Sequence, residues 1–170
     1  MSFLELSYDR FSCRMFSDRP VEGELIEKIL EAGINAPTAA NRQTYKIWLL
    51  KSEEAIEKAS QTTKYMFGAK VLIVIGSKMD GAWTRPSDDY SFADVDAGIA
   101  ATQMMLATHD LGLGTTWVGY MDTVKLIELF PEMSGYNIIA FFPIGYPAEE
   151  AKPAPAHTQR RSRQELVDEL

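Results

Sequence analysis

The run KVLIVIG, residues 70–76, sets the tightest limit on the fold. Every position from Val71 to Ile75 is apolar, without the alternation of a strand that shows one face to water. Such a strand must be covered on both faces. KIWLLK (46–51) and NIIAFFPIGYP (137–147) add two more runs of strand character, the second closed by proline and glycine punctuation. A further strand is expected around Thr115 to Val118.

The covering layers are expected to be helical. VEGELIEKILEAGINAP repeats Leu25, Ile26, Ile29 and Leu30 on one face, with Glu22 and Glu24 near its start and Pro37 as its stop. A polar helix is expected from about Ser52 to Ser60, and another over DTVKLIELF with Asp122 as cap and Pro131 as stop. DVDAGIAATQMMLATHDLG (94–112) is apolar or small nearly all round. It is expected to be a buried helix, either central or at an interface, capped by Asp94, with Asp96 in its first turn and Gly112 ending it. Helices alternating with apolar strands make an α/β or α+β sheet protein.

A chain of 170 residues fits one domain, able to bury roughly 70% of the surface it would expose unfolded. No apolar run approaches the ~20 residues that span a bilayer. The start MSFLELSYDRF has no basic region followed by a long apolar one, so it does not read as a signal peptide, and a cytoplasmic location is the expectation. Cys13 is the only cysteine, which excludes an internal disulfide. The net charge of −7 argues against nucleic acid as a partner. Yet Lys152, Arg160, Arg161 and Arg163 lie in a stretch without an acid, after the linker-like KPAPA, and residues 150–170 are expected to form an extended arm. Chain ends often lie close together, so this cluster and basic residues near the start are able to meet.

Near the start, DRFSCRMF (9–16) sets Arg10, Ser12 and Arg14 at alternate positions, with Phe11, Cys13 and Met15 as the side that packs. The pattern fits either an amphipathic strand or an anion site. Cys13 lacks any thiol-enzyme context, His109 reads as a helix-end histidine, and His109 and His157 form no metal-binding spacing. No catalytic side chain and no metal ligand is assigned. GLGTTWVG (112–119) has glycines out of step with the dinucleotide fingerprint and follows a helix rather than a strand, so that site is rejected. APTAANRQTYK (36–46) places Thr38, Asn41, Arg42 and Gln43 in a turn after a helix, with side-chain amides able to read the edge of a heterocycle.

These stretches together resemble the FMN-dependent nitroreductase family over nearly the whole chain. RFSCRMF stands at an Arg-x-Ser-x-Arg/Lys element and APTAANRQTY at an Ala-Pro-Ser-x-x-Asn-x-Gln-Pro-Trp element. The buried helix with its glycine turn, then FFPIGYPAE and the closing arginine pair before QELV, follow in order. The resemblance implies a compact α+β fold, a mostly antiparallel central sheet flanked by helices, in a domain-swapped type of homodimer with shared FMN sites. It implies that Arg10, Phe11, Ser12, Arg14 and Arg160 hold the phosphate and ribityl chain. Thr38, Ala39, Asn41 and Gln43 are then contributed from the other subunit, and Thr116, Trp117, Val118 and Gly119 lie along the ring, with backbone groups of Val118 and Gly119 near its N5 edge.

The implied activity is reduction of small acceptors such as nitroaromatics or quinones by ping-pong hydride transfer from NADH or NADPH. A dehalogenase or enone-type reductase on the same scaffold, and a flavin-binding sensor or reservoir without turnover, are the alternatives. Thr38 replaces the usual serine, Thr44-Tyr45 replaces Pro-Trp, and Ser162 stands where proline often follows the arginines. The span between Ile75 and Asp94 lacks the long helical insertion of larger members. A loop over 81–92, carrying Trp83 and Tyr90, is expected to do the covering.

Overall fold

The computed structural model describes residues 2–170. Its frame is a four-stranded antiparallel sheet, with β1 (Tyr45–Leu50), β2 (Val71–Ser77), β6 (Asn137–Gly145) and β5 (Gly114–Thr115) side by side in that order. Every residue of β2 is buried, as its unbroken apolar run requires. Ile73 and Ile75 enter one core with α2 (Gly23–Ile34) and α4 (Ala93–Asp110), against Ile26, Ile29, Ala97 and Met104. Leu72 and Val74 enter the other, against α3 (Glu53–Ser60) and α5 (Thr123–Leu129). The sheet therefore lies between two helical layers, and the architecture is α+β.

Local chemistry sets the ends of the elements. The Ser52 and Asp122 side chains accept from the amides of Ala55 and Lys125 and start α3 and α5 as expected. Gly112, at φ +77°, takes the left-handed position after α4 that a side chain would resist. α2 stops at Ile34, short of Pro37, because Asn35 takes the C-cap and donates to the Glu31 carbonyl.

Several expectations are corrected. Asp94 is not the cap of α4; Phe92 holds that position without a side-chain bond. The Asp94 carboxylate instead accepts from the Ser77 hydroxyl and, at 3.1 Å, from the Asn137 amide, clipping α4 to the ends of β2 and β6. Of the two placements expected for α4, the wholly central one does not hold: Asp94, Thr102 and Ile99, the last 36% exposed, leave one face open in a single chain. The span Thr115–Val118 is not one strand, since only Gly114–Thr115 pairs as β5 and Val118 makes a separate bridge to Phe141.

Residues 81–92 form no open loop but a hairpin of β3 (Thr84–Arg85) and β4 (Tyr90–Ser91), in which the Arg85 guanidinium lies over the Tyr90 ring. An unforeseen helix, α1 (Phe3–Asp9), opens the chain on a Ser2–Glu5 capping box. The arm is not wholly extended, containing a 3-10 turn (Pro155–Thr158) and the short α6 (Arg163–Leu166). Among the described residues, no helix is long and apolar enough to cross a membrane.

Candidate functional site

DRFSCRMF leaves α1 as extended chain beside β5. The Cys13 amide donates to the Thr115 carbonyl at 2.9 Å, and Ser12 bridges Thr115 in parallel. Cys13 is 1% exposed, and burial pushes its thiol pKa up, away from reactivity. A Cβ on Gly114 would sit 2.7 Å from the Cys13 Sγ, so the two segments touch closely because residue 114 has no side chain. Phe11 packs edge-on against His109 at 6.4 Å. Met15 departs from the expected packing side, at 48% exposure.

The polar register opens into a cavity of about 200 Å³. Its wall includes Arg10, Phe11, Ser12, Arg14, His157 and Arg160, so the two basic ends of the chain do meet. No carboxylate lines it. The Arg10 pKa is lowered, first by burial and then by the positive field of Arg160. Such a like-charge cluster is favourable only with an anion between its members, and forked guanidiniums suit a phosphate.

Arg14 also borders a second cavity, of about 240 Å³, walled by Thr116, Trp117, Val118 and Gly119 with Tyr65 and Tyr120. The sequence reading missed these tyrosines and Phe67 beside them. For Tyr65 and Phe67 the signal is KYMFG, where Phe67 and Gly68 both take positive φ, and for Tyr120 it is its place directly after Gly119. The Val118 amide donates to the Phe141 carbonyl at 2.9 Å and is spent on the sheet. The Gly119 amide donates to no protein acceptor among the described residues.

Thr38, Ala39, Asn41 and Gln43 lie elsewhere. They form a turn at the N-terminal end of α4, in which Ala40, Asn41 and Gln43 have φ of 50°, 53° and 53°. Left-handed backbone in residues other than glycine is costly and marks a conformation held from outside. The holder, missed in the sequence, is Asp96. It is 1% exposed, and its Oδ1 accepts from the Ala39 amide at 2.9 Å while its Oδ2 is buried without a partner. Within the turn, Thr38 Oγ1 accepts from the Gln43 amide at 3.1 Å, and Gln43 Nε2 donates to Asn41 Oδ1 at 3.0 Å.

His109 and Phe11 put the arginine cavity at the other end of α4. The helix has 18 residues and is therefore about 27 Å long. One chain thus does not bring the 38–43 turn and the arginine cavity together.

The nitroreductase family model matches residues 8–64 and 62–146. A Methanothermobacter thermautotrophicus protein named "Putative NADH dehydrogenase/NAD(P)H nitroreductase" is 30% identical over 165 residues, covering 88% of this chain and 79% of its own length. The crystal structure of a nitroreductase family protein from Clostridium difficile 630 is 32% identical with a TM-score of 0.91, covering 99% of this chain and 98% of that one. A Desulfovibrio desulfuricans structure, described as a "putative nitroreductase in complex with FMN", is 27% identical with a TM-score of 0.79, covering 98% and 95% of the two chains. With the family model spanning most of its length and the fold shared from end to end, this chain belongs to the nitroreductase family.

Proposed function

We propose that the chain is a single FMN-binding domain and an oxidoreductase that uses NADH or NADPH to reduce small acceptors such as nitroaromatics or quinones. The observation that carries this reading is the convergence of Arg10, Arg14 and Arg160 on one acid-free cavity, joined through Arg14 to a second cavity walled by 116–119. The donor set fits FMN: guanidiniums and the Ser12 hydroxyl for a phosphate, and a free Gly119 amide beside a space with aromatic walls. The FMN and NAD(P)H in the names of similar proteins support the same choice.

When bound, FMN supplies the two-electron chemistry, accepting hydride from the nicotinamide and returning it to the acceptor. The chain's own part is binding and orientation. Arg10, Arg14 and Arg160 neutralise the phosphate, Phe11 and Ser12 line its seat, and Thr116, Trp117, Val118 and Gly119 wall the ring. The Gly119 amide is the donor left to face the ring's polar edge.

The second half-site comes from another copy. Pairing two α4 helices antiparallel through their open faces, about a two-fold axis perpendicular to them, would set the 38–43 turn of one chain at the arginine end of the other. Thr38, Ala39, Asn41 and Gln43 then complete the partner's site. The 81–92 hairpin shares that end of α4, since the Phe92 amide donates to Trp83, and it travels with the turn.

The decisive experiment is the visible spectrum of the purified protein, recorded anaerobically as NADH or NADPH is added. Yellow protein bleached by a nicotinamide and recoloured by an acceptor is expected, with parallel double-reciprocal plots. Protein that stays colourless after adding FMN would sink the reading.

A further inference from the structure

We propose that His157 is a positioning residue that seats Arg160 in the anion cavity; the inference rests on the phosphate reading above. From Lys152 to Leu170 every residue is exposed except His157, which is half-buried. Its Nε2 lies 3.0 Å from the Tyr8 carbonyl oxygen. Among the described residues, this is the one hydrogen bond from residues 152–170 to the rest of the chain. The others in this stretch are internal: Arg161 and Ser162 bond Glu165, Arg163 bonds Glu169, and the 3-10 turn closes on itself.

A carbonyl only accepts, so Nε2 carries the proton and donates. The acceptor is in the last turn of α1, where carbonyls lack partners within the helix. One contact therefore caps α1 and ties the arm to the segment that begins at Arg10. The 3-10 turn passes the constraint on: the His157 amide donates to the Ala154 carbonyl, and Arg160 Nη1 donates to the carbonyls of His157 and Gln159 at 2.6 and 2.7 Å. Arg160 is thus folded over a turn whose one hydrogen bond to the rest of the chain, among the described residues, is that of the imidazole three residues earlier. Residues 152–160 hold only Pro, Ala and polar side chains, and the apolar Leu166, Val167 and Leu170 further along the arm are exposed, so packing does not replace that bond.

The test uses the full chain, with FMN and riboflavin affinities measured in parallel by flavin fluorescence quenching. His157→Ala is expected to raise the Kd for FMN roughly tenfold, the scale of one charge-assisted bond, and to leave riboflavin, which has no phosphate, unchanged. His157→Gln keeps an N–H for the same carbonyl and is expected to restore FMN binding. The His157→Ala, Arg160→Ala double variant should bind no more weakly than Arg160→Ala alone.

Wild-type FMN affinity in His157→Ala, equal losses for FMN and riboflavin, or fully additive losses in the double variant would each overturn the proposal. A flavin-free readout separates it from the reading on which it rests. Tryptic cleavage after Arg160 should quicken in His157→Ala and slow again in His157→Gln. If the wild type binds no FMN while cleavage behaves so, the flavin reading fails and the tether stands; unchanged cleavage rejects the tether itself.

Discussion

At the residue scale, the informative comparison is between arginines that are close in sequence and differ in employment. Arg19 is held by Glu22 at 2.8 Å and lies over the Tyr146 ring at 3.8 Å, away from either cavity. Arg14 carries no carboxylate partner and borders both cavities. Arg14→Ala is expected to weaken FMN binding by about 1.5–3 kcal/mol, the range for a hydrogen bond to a charged group, while Arg19→Ala leaves the Kd near wild type in the same titration. The alternation of Arg10, Ser12 and Arg14 was legible because period-two spacing alone separates a packed side from a polar one. Asp96 and His157 were not legible as holders, since each acts on a backbone group distant in sequence, Ala39 and Tyr8.

His109 adds a pH effect. Burial lowers its pKa, outweighing the raising effect of Asp9. A base with a depressed folded pKa takes up protons more readily when unfolded, so its contribution is full above the unfolded value, about 6.5, and is lost as pH falls from there through the lower folded value. Melting temperatures measured from pH 8 down to pH 5.5 should fall less steeply for His109→Gln than for the wild type.

At the element scale, the long apolar strands and the capped helices α3 and α5 were readable because periodicity and cap residues state them locally. α1, the β3–β4 hairpin and the strained turn were missed. α1 did carry a local signal, the Ser2–Glu5 capping box, which went unread; the strands of the hairpin are too short to show a period, and the turn takes left-handed angles at Ala40, Asn41 and Gln43, where no glycine announces them. The Asp94 cap misled for a related reason: a carboxylate at a helix start suits an N-cap, but here Ser77 and Asn137 claim it.

The bond from Asp96 to Ala39 makes α4 the support of the 38–43 turn. Asp96→Ala leaves that amide without its acceptor and should cost about 1–3 kcal/mol in denaturant unfolding. Hydrogen exchange should show residues 38–43 losing protection while β2 keeps its own. Loss spread evenly over the chain would place the role of Asp96 in the core instead.

At the scale of the whole molecule, the sheet and its two layers followed from the sequence, whereas the separation of the half-sites did not. That separation is set by the length of α4 and becomes visible only when Phe11 and Ala39 are seen at its opposite ends. It gives a complementation test. In the proposed dimer, Arg14→Ala would damage one half-site and a combined Asn41→Ala, Gln43→Ala variant the other, so each homodimer would carry two faulty sites. A mixed dimer carries one site with both faults and one with neither. Unfolding and refolding the two variants together should restore tight binding of one FMN per mixed dimer, read by titration; no recovery would argue that each site lies within one chain.

The span of α4 also has a consequence for dose. In the dimer proposed above, a centre built from opposite ends of two such helices exists only in the paired species, whose abundance grows with the square of the chain concentration while most chains are unpaired. Diluted below the pairing constant, the protein should lose flavin and specific activity together, and regain them with second-order kinetics on concentration. Output would then track expression level more steeply than in proportion, a threshold response produced by helix length alone.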